Sequence, residues 1–197
     1  MNVAAIILAA GQAKRMGSNK MLLPFGRSTV IEAIVTEVVV CNLSDVVVVT
    51  GHEHEQIATL LAKYSVRCVF NSGYDRSEMI VSIQAGLRAL SEKIQAALIV
   101  LGDQPRLQRD VVQRIVEAYA PHSLIVPSYQ NRRGHPILID RSLWADVLAL
   151  PSTATLRDFV QSHAAHIRYI ELDSDSIMHD LDTPQDYQGL IHREDVK

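Results

Sequence analysis

The chain has 197 residues, 48% of them apolar, and a net charge of −3 with histidine neutral. That apolar share suits a buried core and excludes a disordered chain, while the slight acidic balance excludes a general electrostatic grip on nucleic acid. The length fits one domain, 1–197, in which an anionic ligand must be held by a few placed cations and amides.

Met1–Ala10 is apolar but too short to span a bilayer, lacks the basic start of a secretory signal and is interrupted by Gly11. A cytoplasmic protein with no membrane partner is the expectation. Within that stretch Val3–Leu8 reads as the first strand. Thr29–Val40 carries apolar residues at helical spacing, Asp45–Thr50 is a β-branched strand, and Glu53–Tyr64 is again helical. Val66–Phe70 reads as a strand, Met79–Leu90 as a helix with Ile80, Ile83, Leu87 and Leu90 on one face, and Ala97–Leu101 as a strand. Arg109–Tyr119 predicts a helix and Ser123–Val126 a strand. The second half is less regular, with strands over Pro136–Ile139 and Ile167–Leu172 and helices over Arg141–Leu150 and Thr155–His163. The polar tail after Tyr187 is expected to fray. Strands apolar on both faces, alternating with amphipathic helices, predict a doubly wound, mostly parallel sheet covered on both sides. Cys41 and Cys68 lie in apolar surroundings without CxxC spacing and are expected to be buried free thiols.

The informative stretch follows the first strand: Leu8-Ala9-Ala10-Gly11-Gln12-Ala13-Lys14-Arg15-Met16-Gly17-Ser18-Asn19-Lys20. An open α/β sheet presents its ligand crevice at the carboxyl ends of its strands. Gly11 and Gly17 remove Cβ atoms where backbone amides can approach phosphate oxygens, and Lys14, Arg15 and Lys20 supply cations. A Walker loop is excluded because Gly17 is followed by Ser18-Asn19-Lys20, and a dinucleotide fingerprint because Gln12-Ala13 breaks it. A loop bounded by glycines and lacking apolar period gives Arg15 and Lys20 no expected part in the core. The bland alternative is a surface loop whose cations are merely solvated.

The string LAAG-x-x-x-RMG-x-x-K, continued by Leu22-Leu23-Pro24-Phe25-Gly26, resembles the opening signature of the MobA-like nucleotidyltransferases, in particular those similar to molybdenum cofactor cytidylyltransferase. Thr50-Gly51-His52, Asn71, Gly102-Asp103-Gln104-Pro105, Gly134-His135-Pro136 and Asp180-Leu181-Asp182-Thr183-Pro184-Gln185-Asp186 are similar to later motifs of the family, so the likeness covers most of the chain. Two stretches depart from it. Glu78-Met79-Ile80-Val81-Ser82 stands where relatives carry Gly-Met, small residues and Ser; Ser152-Thr153-Ala154-Thr155 stands near a usual Gly-Asp-x-Gly segment. Met16, Met21 and Met79 are expected to pack rather than bind a ligand.

The resemblance implies a Rossmann-like, three-layer α/β/α fold of the nucleotide-diphospho-sugar transferase type. It implies transfer of a nucleoside monophosphate, with pyrophosphate released, onto a phosphorylated acceptor. Ala9-Ala10-Gly11 points to CTP, and the acceptor implied is molybdopterin or its molybdenum-bearing form, with an acceptor molybdoenzyme or its chaperone as a protein partner. Arg15, Lys20 and Asp103 are the implied catalytic residues. Ala9, Ala10, Gly11, Gly17, His52, Asn71, Ser82 and His135 are the implied substrate contacts. Mg²⁺ (or Mn²⁺) would be held by Asp103 with Asp180 or, preferably, Asp182, since hard cations take carboxylates plus phosphate oxygens. Each motif also has a structural reading: Gly102–Pro105 suits a turn, His135 a satisfied histidine, and Thr183-Pro184 a helix start. A transferase acting on a sugar phosphate or another small phosphorylated acceptor, and a protein that binds the nucleotide or cofactor without turnover, are the competing functions.

Overall fold

The computed structural model describes residues 1–12, 19–75 and 78–194. In chain order its elements are β1 (Val3–Ala9), β2 (Pro24–Phe25), β3 (Ser28–Thr29), α1 (Val30–Val39), β4 (Asp45–Thr50), α2 (His54–Leu61), β5 (Arg67–Phe70), α3 (Met79–Ala89) and β6 (Ala96–Leu101). There follow α4 (Arg109–Glu117), β7 (Leu124–Tyr129), β8 (Arg132–Arg133), β9 (Ile137–Asp140), α5 (Trp144–Ala149), α6 (Leu156–Ser162), β10 (Ile167–Glu171) and α7 (Pro184–Glu194). The strands form one sheet in the order β10-β7-β9-β6-β1-β4-β5, with β8 paired to β7; β2 and β3 form a separate ribbon.

β1 lies at the centre because it can be buried on both sides: all of its residues are apolar and all are buried. It runs parallel to β4 on one flank and to β6 on the other. Its alternate residues feed two cores. Ala5, Ile7 and Ala9 pack with Ile31, Ile34 and Val35 of α1 and Val112 and Ile115 of α4. Ala4, Ile6 and Leu8 pack with Ile80, Ile83 and Leu87 of α3 and with Trp144 and Phe159. Burying an isoleucine of this kind stabilises the fold by about 1.5–3 kcal/mol relative to exposure. The result is the Rossmann-like, mostly parallel sheet with helices on both faces. β9 is inverted, antiparallel to both β6 and β7, and the short β8 is antiparallel to β7.

The apolar face expected for the third helix is present: Ile80 and Ile83 are fully buried and Leu87 and Leu90 nearly so. α1 starts at a capping box in which Thr29 Oγ1 accepts from the Glu32 N–H and Glu32 returns a carboxylate oxygen to the Thr29 N–H at 3.0 Å. Several boundaries differ from expectation. Glu53 takes a left-handed conformation (φ 54°), so α2 begins at His54. Arg141–Leu150 is not one helix, because Asp140 caps a 3₁₀ turn over Arg141–Leu143 by accepting from the Ser142 N–H at 2.9 Å. β5 is an edge strand whose end residues are exposed, so it is not buried on both faces. The tail after Tyr187, expected to fray, is helical through its described residues. It continues α7 to Glu194, held by Leu190 in the core and by the Tyr187 hydroxyl donating to the Pro24 carbonyl at 2.7 Å. Cys41 and Cys68 are free but half-buried rather than buried. Among the described residues no helix is long and apolar enough to cross a membrane.

Candidate active site

β1, β4 and β6 are parallel, so their carboxyl ends meet on one edge of the sheet. The connections leaving those ends build the site. After β6 the chain must pass close to β1: the Gly102 N–H donates to the Leu8 carbonyl at 2.9 Å. A Cβ at position 102 would collide with that same oxygen, so glycine is a steric requirement there. This approach sets Asp103 beside the start of the Gly11 loop. The late Asp180–Asp182 segment is tied to the same point by the Leu181 N–H, which donates to the Asp103 carbonyl at 2.9 Å. Leu181 itself is fully buried, which fixes that segment from below.

Lys20 connects these pieces. It opens a 3₁₀ turn, Lys20–Leu22, whose cap is Asn19: the Asn19 side chain accepts from the Met21 N–H at 3.1 Å and donates to the His52 carbonyl at 3.4 Å. Lys20 Nζ lies 2.5 Å from Asp103 Oδ2 and 3.2 Å from Asp182 Oδ1. The lysine side chain is buried, which corrects the expectation of a loop cation with no structural part. Two nearby carboxylates repel one another, and a buried ammonium between them offsets that repulsion. Asp103 Oδ1 is buried without a hydrogen-bond partner among the described residues. Asp180 stands apart from this bridge, accepting from Gln104 Nε2 at 2.7 Å. Burial pushes the Asp180 carboxyl above its ordinary value, with the charges of Asp103 and Asp182 acting in the same direction.

Two cavities open from this edge. The smaller, about 210 Å³, is lined by Ala10, Gly11, Lys20, Gly102 and Asp103 from the β1 and β6 side, and by Tyr74, Glu78, Met79 and Ser82 from the β5–α3 side. A Cβ at Gly11 would meet nothing within 4 Å, so the bareness of that residue keeps space open rather than relieving a packing clash. The larger cavity, about 810 Å³, is lined by Arg133, Gly134, His135, Thr155, Leu156, Arg157 and again by Glu78 and Met79. Glu78 and Met79 therefore form a wall common to both. His135 Nδ1 is buried there without a hydrogen-bond partner. Burial lowers the pKa of the imidazole, against the opposing pull of the Ile99 carbonyl and the Asp103 charge.

Of the residues singled out from sequence, Ala10, Gly11, Lys20, Ser82 and Asp103 line one cavity, and Asp182 reaches it through Lys20. Arg15 and Gly17 lie outside the described residues, as do Lys14 and Met16. Ala9 does not line the cavity: it faces the core with no exposure, because it alternates with Leu8 and Ala10 along the strand. Asn71 is buried and donates from Nδ2 to Ser82 Oγ at 3.0 Å, so it orients Ser82 instead of lining the cavity. His52 contributes its backbone, with its N–H on the Ala10 carbonyl, while its half-exposed ring stands 6.4 Å from Tyr74. His135 belongs to the second cavity. Met21 is buried as expected; Met79, expected to pack, is 42% exposed at the shared wall.

The sequence reading missed Asn19, Gln104 and Tyr74. Asn19 had a local signal, a polar cap residue before Lys20, whereas Tyr74 carries no periodicity or motif that marks it. The two departures from the family pattern prove to be neighbours, since the Glu78 N–H donates to the Ser152 carbonyl at 3.3 Å.

Comparison with known proteins agrees with this geometry. Residues 5–167 match the model of the MobA-like NTP transferase domain. Molybdenum cofactor cytidylyltransferase of Escherichia coli is 26% identical over 186 residues, covering 92% of each chain. Nicotine blue oxidoreductase of Paenarthrobacter nicotinovorans is 29% identical over 198 residues, covering 96% of each. In three dimensions the chain superposes on Rv0371c of Mycobacterium tuberculosis, solved in complex with manganese, with a TM-score of 0.84 at 22% identity over 98% of this chain and 99% of that one. With the family model spanning most of the chain, and a crevice of the expected kind at the expected sheet edge, this protein belongs to the MobA-like NTP transferase family of nucleotidyltransferases.

Proposed function

We propose that the chain transfers CMP from CTP to a phosphorylated acceptor of the molybdopterin type, releasing pyrophosphate. The observation that carries this reading is the Lys20–Asp103–Asp182 cluster facing the smaller cavity, which shares a wall with a second cavity large enough for an acceptor. The triphosphate would lie against the backbone at Ala10 and Gly11, and the acceptor between Arg133, His135 and Arg157. An acceptor phosphate arrives ionised, so no general base is needed. Its oxygen forms a bond to the α-phosphorus while the α–β bridging bond breaks, the electron pair leaving with pyrophosphate. Catalysis is then alignment and charge stabilisation.

The carboxylates fit a divalent cation. Asp103 Oδ1 is buried and unpartnered among the described residues, and Asp182 is drawn to the same ammonium. Among the described residues no group of three or more His, Cys, Asp or Glu side chains is placed to hold a metal ion, so the two carboxylates would need phosphate oxygens to complete a shell. Mg²⁺ or Mn²⁺ bound there would supply Lewis acidity at the α-phosphate. Lys20 would neutralise charge moving onto pyrophosphate, and Arg15 is proposed to assist it.

The test is pyrophosphate release with CTP, GTP, ATP or UTP, Mg²⁺, and molybdopterin or a sugar phosphate. Release with CTP and molybdopterin is expected. Nucleotide binding without release would favour a binding protein, and release only with a sugar phosphate would move the acceptor class. Because one relative has an oxidoreductase name, reduced nicotinamide nucleotides belong in the same panel. Their oxidation without pyrophosphate release would overturn the transferase reading.

A further inference from the structure

We propose that Tyr74 is the stacking platform for the nucleobase, an inference that rests on the nucleotide reading of the smaller cavity. The sheet order β6-β1-β4-β5 places the phosphate-facing residues, Lys20, Gly11 and Asp103, at the β1 and β6 ends. Tyr74 lines the same cavity from the connection after β5, the strand beyond β4 on that side of the sheet. A triphosphate gripped at β1 and β6 therefore directs its nucleoside towards β4 and β5, where Tyr74 stands.

The seat of the ring is tight. A Cβ at Gly51 would lie 2.5 Å from Tyr74 Cβ, 2.6 Å from Tyr74 Cγ and 2.6 Å from the Ala10 carbonyl oxygen. The root of the tyrosine thus fills the gap left by Gly51, directly against the backbone that carries Gly11. Its backbone is fixed by the Tyr74 N–H donating to the Asn71 carbonyl at 3.3 Å. Other rings brace it: Phe70 at 6.3 Å and His52 at 6.4 Å, with His54 packed on Phe70 at 5.0 Å. Phe70 is half exposed, so this cluster is not an ordinary core. A ring held this firmly loses little freedom when a base lies on it. Every base offers a π-face, so Tyr74 would add affinity for all nucleotides and leave the choice among them to hydrogen-bonding groups.

The experiment measures the dissociation constants of CTP, GTP and inorganic tripolyphosphate, with Mg²⁺, for wild type, Tyr74→Phe, Tyr74→Trp, Tyr74→Leu and Tyr74→Ala. The aromatic variants should bind CTP within about threefold of wild type, while Tyr74→Leu and Tyr74→Ala should lose about tenfold or more for both nucleotides. Tripolyphosphate affinity should be the same in all five proteins, and the CTP-to-GTP ratio unchanged. In Tyr74→Trp the indole emission should be quenched by CTP but not by tripolyphosphate. CTP affinity undiminished in Tyr74→Leu, or an equal loss for tripolyphosphate, would overturn the stacking role and leave the nucleotidyl reading standing. Failure of the wild type to bind any nucleoside triphosphate would instead overturn that underlying reading.

Discussion

Lys20 sits between two carboxylates, so its removal is expected to act on stability as well as on chemistry. Lys20→Ala leaves Asp103 and Asp182 facing each other without the ammonium. Discounted for the exposure of Asp182, the loss should be about 2 kcal/mol, or about 6 °C in melting temperature. Turnover should fall about a hundredfold or more, measured by pyrophosphate release. Asp103→Asn should abolish the Mg²⁺ dependence of turnover with little change in melting temperature, because the amide keeps an acceptor for Lys20. Unaltered Mg²⁺ titration in that variant would remove Asp103 from the metal reading. His135 gives a pH signature. Burial lowers its pKa, so between the ordinary imidazole value and the lowered one the unfolded chain binds a proton that the folded protein refuses. Stability is complete above the ordinary value and declines as pH falls below about 6.5. His135→Gln should flatten that decline in urea unfolding measured across pH; an unchanged profile would contradict the assignment.

α3 and α6 bring different faces to the two cavities. α3 lies against β1 only because Gly86 has no side chain: a Cβ there would sit 2.5 Å from Ile6 Cγ2, and Ile6 is fully buried. Alanine is the better helix former by about 1 kcal/mol, yet overpacking a full core costs about 1–3 kcal/mol. Gly86→Ala should therefore destabilise by about 1 kcal/mol net, read as a lower denaturation midpoint at constant slope. α6 begins at a second capping box, with Thr155 and Asp158 exchanging hydrogen bonds at 3.0 and 3.1 Å, and it supplies Leu156 and Arg157 to the larger cavity. Thr155→Ala should cost about 1 kcal/mol and raise the acceptor KM while leaving the CTP dissociation constant alone. An altered CTP constant with an unchanged acceptor KM would reverse the assignment of the two cavities.

Across the whole molecule, the wall at Glu78 and Met79 is common to both cavities, so on the proposed assignment the two substrates would meet one set of side chains. Glu78 brings a carboxylate to that wall, where the family resemblance implied glycine, and its backbone is tied to Ser152. Glu78→Gly should consequently change the KM for both nucleotide and acceptor, and an unchanged KM for both would make the substitution neutral. Nucleotide binding should also stabilise the fold as a unit. CTP at about one hundred times its dissociation constant should add about 2.7 kcal/mol, seen as a rise in melting temperature that exceeds the rise with GTP. A larger rise with GTP would overturn the CTP preference.

Local pattern was enough to identify the alternating strands and helices and the Gly-Asp turn after β6. Each depends on residues adjacent in sequence: β-branched runs, helical spacing, and glycine where backbone must come close. The segments that went astray were decided by distant contacts. α7 reads as a helix start at Thr183-Pro184 running into a polar tail after Tyr187, until Leu190 finds the core and Tyr187 finds Pro24 across the chain. Lys20 reads as a loop cation facing phosphate, with no structural part, until β6 and the late acidic segment arrive on either side of it. Nothing near Tyr74 in sequence announces a place over Gly51, and nothing joins Glu78 to Ser152 except the packing of α3 against the second half. The sequence by itself determined most of the strands and helices and which motifs sit at strand ends, because those follow from local geometry and solvation. Only the tertiary structure decided which charges neutralise one another and which side chains share a cavity, because Coulomb forces and packing act between whatever the fold brings together, regardless of separation along the chain.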